Sequence, residues 1–269
     1  MMAKGKKKNN EKESRLIYIP FIALLLVIAL FIGLSFRPSV STSAPSAFTN
    51  FVKVSSTDYA PNGTTQVYLI SWYGCPYGAT LSWPLYIALS NYGNLTVTPH
   101  YSVAEPDIGN GAPIPGLLFQ GFTPDSNVQF HAIYIYNQYL NATPSGEPVN
   151  NGDRVQVGLN ELGSMTPSWV VNLVEQYQLN QTQVVYDGHQ VPIALGSSEP
   201  HLVTTLIISG PGGTWIMLGY PKSLPPGELV SISTNSTQLL SEIESGHVPS
   251  QIESTAQQIL QIIQKASGS

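Results

Sequence analysis

The sequence predicts an α/β fold preceded by one N-terminal transmembrane helix, and three observations carry that expectation. An unbroken apolar run, Val67-Tyr68-Leu69-Ile70, leads directly into an aromatic-flanked Cys-Pro turn and then a helical pattern. Two β-rich runs, residues 202–209 and 214–220, flank Gly210-Pro211-Gly212-Gly213 in the manner of a β-hairpin. Ahead of both lies the stretch 16–36, which carries no charged side chain.

That uncharged stretch reaches roughly 30 Å at 1.5 Å per residue, enough for one hydrocarbon core. Lys4, Lys6, Lys7, Lys8, Lys12 and Arg15 precede it, whereas only Arg37 follows it closely. The positive-inside bias then puts residues 1–15 in the cytoplasm as a basic tail and the remainder outside, a single-pass anchor with the membrane as its first partner. A cleaved signal peptide fits less well, because Pro45 interrupts the small-residue segment Ala44-Pro45-Ser46-Ala47. Residues 37–60 read as a stalk, 61–235 as the folded domain and 236–269 as a C-terminal helical segment.

Within the domain, residues 66–72 are expected to form a strand covered on both faces, since the run lacks polar alternation. A helix follows from Pro76 to about Tyr92, with Leu81, Leu85, Ala88 and Leu89 at helical spacing and Pro84 as a kink. Leu95-Thr96-Val97-Thr98 reads as a second strand. The Pro- and Gly-rich residues 103–127 read as loop around a short strand at 117–119, 130–140 as strand or helix with strand preferred, and 141–160 as another loop. Thr166-Pro167 has the form of a helix start, with Thr as N-cap and Pro at the first helical position. Residues 236–266 read as helices broken near Gly246 to Pro249, with Ile252, Ala256, Ile259 and Ile263 on one face.

Outside the anchor, four basic residues (Lys53, Arg154, Lys222, Lys265) stand against fourteen acidic ones, a net charge of −10 from residue 38 onward. No basic footprint for nucleic acid exists in this part of the chain. Only 10% of the chain is charged, against roughly 25% in ordinary soluble proteins. Uncharged polar residues solvate the surface instead, which suits an acidic exterior or a plain bias toward neutral polar groups. Asn62, Asn94, Asn141, Asn180 and Asn235 each begin an Asn-x-Ser/Thr sequon, an expectation of surface glycosylation.

The strand, Cys-Pro turn, helix and late hairpin resemble the thioredoxin fold, a three-layer sandwich, here with insertions. More narrowly, Trp72-Tyr73-Gly74-Cys75-Pro76-Tyr77-Gly78-Ala79, residues 83–93 and Ile114-Pro115-Gly116-Leu117 resemble domain-of-unknown-function family 929. That resemblance implies membrane-anchored, thioredoxin-like proteins of thermoacidophilic archaea. It also implies a Cys-x-x-Cys motif, from which Gly78 departs. A cis-proline usually faces the active cysteine in thioredoxin-like proteins. The matching position here is Thr204, with Pro192 and Pro200 as alternatives.

Cys75 is the only cysteine. At a helix N-terminus its thiolate is expected to be favoured and its pKa lowered. With no second thiol an intramolecular disulfide is impossible, and Gly78→Cys is expected to rebuild a dithiol. Trp72, Tyr73, Pro76, Tyr77 and Trp83 are read as either a peptide groove or simple packing, with Pro192 and Thr204 beside it. The histidines are too widely spaced in sequence for a metal motif, and no cofactor signature occurs. A peroxidase site lacks its Thr or Ser three residues before Cys75.

The expected function is therefore binding of an extracytoplasmic protein or peptide client by a redox-silent domain. The alternatives are monothiol–disulfide exchange through Cys75 and a structural surface glycoprotein.

Overall fold

The computed structural model describes residues 46–61 and 63–268. The expected cytoplasmic tail, the membrane span at 16–36, the first part of the stalk and Asn62 lie outside the described residues. Among those described, no helix is long and apolar enough to cross a membrane.

The elements in chain order are β1 (Val52–Ser55), β2 (Thr65–Ser71), α1 (Pro76–Leu89), β3 (Gly93–Tyr101), β4 (Pro115–Pro124) and β5 (Val128–Tyr134). They continue with α2 (Arg154–Met165), α3 (Ser168–Glu175), β6 (Gln183–Tyr186), β7 (His189–Pro192), β8 (Thr205–Gly210) and β9 (Gly213–Leu218). Three helices close the chain: α4 (Pro226–Ile232), α5 (Ser236–Glu244) and α6 (Ser250–Ser267).

A five-stranded sheet, ordered β1-β9-β8-β2-β5, is the centre of the domain. β2 runs parallel to β5, pairing Val67 with Phe130, and antiparallel to β8, pairing Val67 with Ile208. All seven residues of β2 are buried, as expected of an apolar run lying mid-sheet. Strand alternation divides its side chains between two cores. Val67 and Leu69 join Leu206, Ile208 and Met217 under α1 and α6, where Ile259 and Ile263 pack. Tyr68 and Ile70 face the opposite way, toward Leu162 of α2 and Val170 and Val174 of α3. Helices thus cover both faces of the sheet. Each large side chain fully buried this way contributes roughly 1.5–3 kcal/mol.

α1 has almost no exposed side, because a third core closes over its outer face. There Ala79 and Trp83 meet Leu117 of β4, Leu229 of α4 and Leu239 of α5. The indole N–H of Trp83 donates to the carbonyl of Pro115 at 2.8 Å. Gly116 permits this approach, since a Cβ there would lie 2.6 Å from both Cα and Cβ of Ala79. α1 continues as one helix through the buried Pro84.

Several expected boundaries are corrected. Residues 46–60 are no stalk: β1 pairs with β9, Phe48 bridges to Leu218, and Ala47 is buried. The C-terminal helical segment is no appendage, because α6 buries Ile252, Ala256, Ile259 and Ile263 in the domain cores. The second strand does not join the main sheet. β3 pairs with β4 in a separate two-stranded sheet, and β5 is the parallel neighbour of β2. β4 runs to ten residues because its prolines sit at the two ends, where a missing N–H costs least.

Between 141 and 160, expected as loop, α2 begins at Arg154. Thr166 ends that helix rather than capping the next, its hydroxyl donating to the carbonyl of Leu162 at 2.7 Å. β6 and β7 form a hairpin that the strand reading missed. Its signal is Asp187-Gly188, both with positive φ (47° and 75°), the dipeptide favoured in two-residue turns.

Candidate functional site

Cys75 stands at the junction of β2 and α1. Its backbone N–H closes a turn on the carbonyl of Trp72 at 3.1 Å, and its carbonyl accepts from the Ala79 N–H at 2.9 Å. Pro76 supplies the first helical position, where its missing N–H is harmless. The thiol is free and 3% exposed.

Two hydroxyls lie behind the sulfur. Thr204 Oγ1 is 3.0 Å from Cys75 Sγ and 2.9 Å from Ser71 Oγ, so one threonine links the thiol to the end of β2. Thr204 precedes β8, which hydrogen-bonds to β2 and thereby fixes this approach. Gln178 supports it from the α3 side, accepting from the Val203 N–H at 2.8 Å and donating to Val203 O and Thr205 Oγ1. Of the three residues considered for the position facing Cys75, Thr204 takes it. Pro192 pairs with Gln183 at the end of the β6–β7 hairpin instead.

Burial pushes the Cys75 thiol up, outweighing the opposing effects of the Thr204 hydroxyl, the Gly78 and Tyr77 N–H groups and the Ser71 hydroxyl. The lowered thiol expected from the helix N-terminus is therefore corrected. Desolvation wins because the sulfur lies inside an apolar cluster with Trp72, Ile193 and Val203.

Gly78 is held by sterics as well. A Cβ at this position would collide with Ser71 Oγ and lie 3.2 Å from Ser71 Cβ and 3.3 Å from Thr204 Oγ1. A cysteine at this position would have to turn the Ser71 hydroxyl aside.

Cys75 opens onto a recess of about 280 Å³ lined with Phe48, Pro76, Tyr77 and Val184 among others. Trp72, Glu105, Gly196, Ser197 and His201 are shared with an adjoining cavity of about 690 Å³, so the two form one cleft. The β6–β7 hairpin and the loop after it border one side, and residues 103–108 the other. Phe48, from the segment expected to be stalk, lies 6.5 Å from the Tyr77 ring and 6.1 Å from that of Tyr220.

Among the expected groove residues, Trp72, Pro76 and Tyr77 line this cleft. Tyr73 does not: it stacks on Tyr134 at 4.9 Å, and its carbonyl meets His100 Nε2 at 2.8 Å. Trp83 is core. Ser71, Glu105, Ser197 and His201 carry no local sequence signal and reach the site only through the fold.

The cleft is electrostatically uneven. Burial raises the Glu105 carboxyl, and the nearby Glu199 and Asp107 raise it further. Arg154 is buried, donates to Leu140 O at 2.7 Å and lies 3.6 Å from Glu199. Burial lowers His201, outweighing the hydrogen bond to the Glu199 carbonyl that raises it; Arg154 adds to the lowering and the Glu199 charge opposes it. No group of three or more His, Cys, Asp or Glu among the described residues can hold a metal ion.

A family model described as Domain of unknown function (DUF929) matches residues 50–265. The chain belongs to the DUF929 family. The match begins just before β1 and ends within α6, so the DUF929 region coincides with the whole sheet and its covering helices. No curated protein and no solved structure matched the DUF929 chain.

Four of the five sequon asparagines fall among the described residues: Asn94, Asn141, Asn180 and Asn235 are all exposed. Asn235 also caps α5, its side-chain oxygen accepting from the Gln238 N–H at 3.0 Å.

Proposed function

We propose that the chain is a membrane-anchored, extracytoplasmic thioredoxin-like protein, redox-silent, that binds an extended segment of a protein or peptide client in the cleft beside Cys75. The thioredoxin-like reading is supported by β2 entering a Cys-Pro turn and α1, by the parallel β5, and by the β8–β9 hairpin in the same sheet. Loss of redox activity is supported by one observation above the others: Cys75 is the only cysteine of the chain, so no resolving thiol stands at position 78 or elsewhere. The buried, raised thiol points the same way, because the thiolate is the reacting species.

Binding is supported by a cleft of ordinary ligand-site size, walled by Trp72 and Tyr77 and bordered by a hairpin. The surface location is supported by the uncharged span at 16–36, the basic residues before it and the four exposed sequon asparagines.

The test uses the full-length chain in detergent. Insulin reduction at neutral pH should show no multiple turnovers. Client capture should survive Cys75→Ser and weaken with Tyr77→Ala. Mixed disulfides trapped by acid quench and lost in Cys75→Ser would favour the monothiol alternative, and indifference to both substitutions would favour a structural surface glycoprotein. Protease added to intact cells should remove the folded domain and spare the basic tail.

A further inference from the structure

The four exposed sequon asparagines are not equivalent once the rest of each sequon is considered. The motif demands a hydroxyl at its third position, so a transferring enzyme has to reach that hydroxyl as well as the asparagine amide. Exposure of the asparagine is only half of the requirement.

Asn94 and Thr96 meet it together. They stand two residues apart on β3, so both side chains project from the same face of the strand, and both are exposed. Leu95 and Val97 between and after them turn toward the core. Among the described residues β3 pairs with β4 alone, which puts it at the edge of its sheet. Asn235 and Thr237 are likewise both exposed. The cap on α5 uses only the side-chain oxygen of Asn235, which accepts from the Gln238 N–H and leaves the amide nitrogen for transfer.

The other two sequons bury their third residue. Thr143 is 5% exposed, and its hydroxyl accepts from the Glu147 N–H at 3.1 Å and meets Ser145 Oγ at 2.9 Å. Its backbone N–H donates to the Glu147 carbonyl at 2.8 Å, closing the same tight loop. Thr182 is 4% exposed, with its N–H donating to Tyr177 O and its carbonyl accepting from the Ile193 N–H. Asn180 lies in a π-helical turn, Gln176–Gln181, and its amide nitrogen donates to the Glu175 carbonyl at 3.4 Å. Presenting either threonine to an enzyme would require opening the segment around it.

We propose that Asn94 and Asn235 carry N-linked glycans on the folded protein and that the fold withholds Asn141 and Asn180. The donor is an oligosaccharide linked to a lipid phosphate. The asparagine Nδ2 forms a bond to the anomeric carbon of that sugar, and the bond from this carbon to the phosphate oxygen breaks. The lipid phosphate leaves, and the amide proton passes to the transferase. The proposal deepens the surface reading above and rests on it, because transfer from such donors takes place outside the cytoplasm.

The sorting also bears on the cleft. None of Asn94, Thr96, Asn235 and Thr237 contributes to its lining, whereas Tyr139 and Leu140, directly before Asn141, do. The two accepted sites bracket β3 instead. Asn94 stands near its start, and Asn235 precedes Ser236, whose N–H donates at 3.2 Å to the hydroxyl of Tyr101 at the other end.

The experiment uses the full-length chain, purified in detergent from a host without N-glycosylation. It is incubated with a lipid-linked oligosaccharide and an oligosaccharyltransferase that reads Asn-x-Ser/Thr. Synthetic peptides spanning the four sequons serve as unfolded acceptors, and glycopeptide mass spectrometry reads occupancy at each asparagine. All four peptides should be modified, whereas the folded chain should be modified at Asn94 and Asn235 and show no transfer at Asn141 and Asn180. Transfer to Asn141 or Asn180 in the folded chain, or its loss from Asn94 or Asn235, would overturn the proposal. Refusal of the Asn141 or Asn180 peptide would overturn folding as the cause of the difference. The chain isolated from its own cells separates the two readings. Bare asparagines there, with the pattern intact in the purified system, would count against the surface location and leave the sorting by the fold standing.

Discussion

The side chain of Ser71 fills the position into which a Cβ at Gly78 would point, and the two residues are therefore coupled across the β2–α1 corner. A side chain at 78 requires the Ser71 hydroxyl to turn away and its Cβ, at 3.2 Å, to give slightly. Gly78→Cys alone should destabilise the protein by about 1–3 kcal/mol, as overpacked cores do, and should gain no insulin-reducing activity. Ser71→Gly combined with Gly78→Cys should recover part of that loss despite the weakening effect of glycine in a strand. Melting curves of the single and double variants measure the coupling. Additive effects would mean that the serine is not the obstacle.

Thr204→Val removes the hydroxyl that serves both Cys75 Sγ and Ser71 Oγ. Two buried polar groups then lose a shared partner, which should cost about 1–3 kcal/mol in urea unfolding. The Thr204 hydroxyl also lowers the thiol pKa against the larger effect of burial. The pH midpoint of Cys75 alkylation should accordingly move further upward in the variant.

Glu105 provides a pH test. Its carboxyl is raised in the folded protein by burial, then by Glu199 and Asp107. A raised folded value means that its contribution to stability is fully present below the unfolded pKa and is lost as pH rises through the folded pKa. Glu105→Gln should therefore melt higher than the native chain at pH 7, by a few degrees at most. The two proteins should converge at pH 3. A native chain that melts higher than the variant at pH 7 would show that Glu105 has a stabilising partner.

The N-terminal segment offers a fourth test. A chain starting at residue 61, the boundary expected from composition, lacks β1 and the buried Ala47 and leaves β9 as an open edge. It should melt about 6–12 °C below a chain starting at residue 45, equivalent to losing roughly 3 kcal/mol in a domain of this size. Unchanged melting would mean that β1 contributes little.

The apolar run at 67–70, the Gly-rich hairpin at 210–213 and the 3–4 spacing of α6 were legible because local pattern and burial agree there. Each of these segments is buried along its length or along one face, so hydrophobic periodicity alone reports it. β4 and α2 were harder to see because prolines, glycines and asparagines crowd around them, and those residues sit at element ends as readily as in loops. β1 was hidden for another reason. Its pairing partner, β9, lies about 160 residues away in sequence, and an edge strand has little internal signal.

By itself the sequence determined the position of Cys75 between a buried strand and a helix, the absence of a second thiol, and the acidic balance of the domain. These are properties of residue identity and short-range spacing. Only the tertiary structure decided that Thr204 faces the sulfur, that Ser71 closes the space at Gly78, and that burial raises the thiol instead of the helix terminus lowering it. It also decided that Glu105, Asp107 and Glu199 share one cavity with Trp72. The physical reason is common to all four. Desolvation, steric exclusion and the convergence of charge depend on which chain segments lie within a few ångströms of one another. Sheet pairing between β2 and β8, more than 130 residues apart, sets those distances.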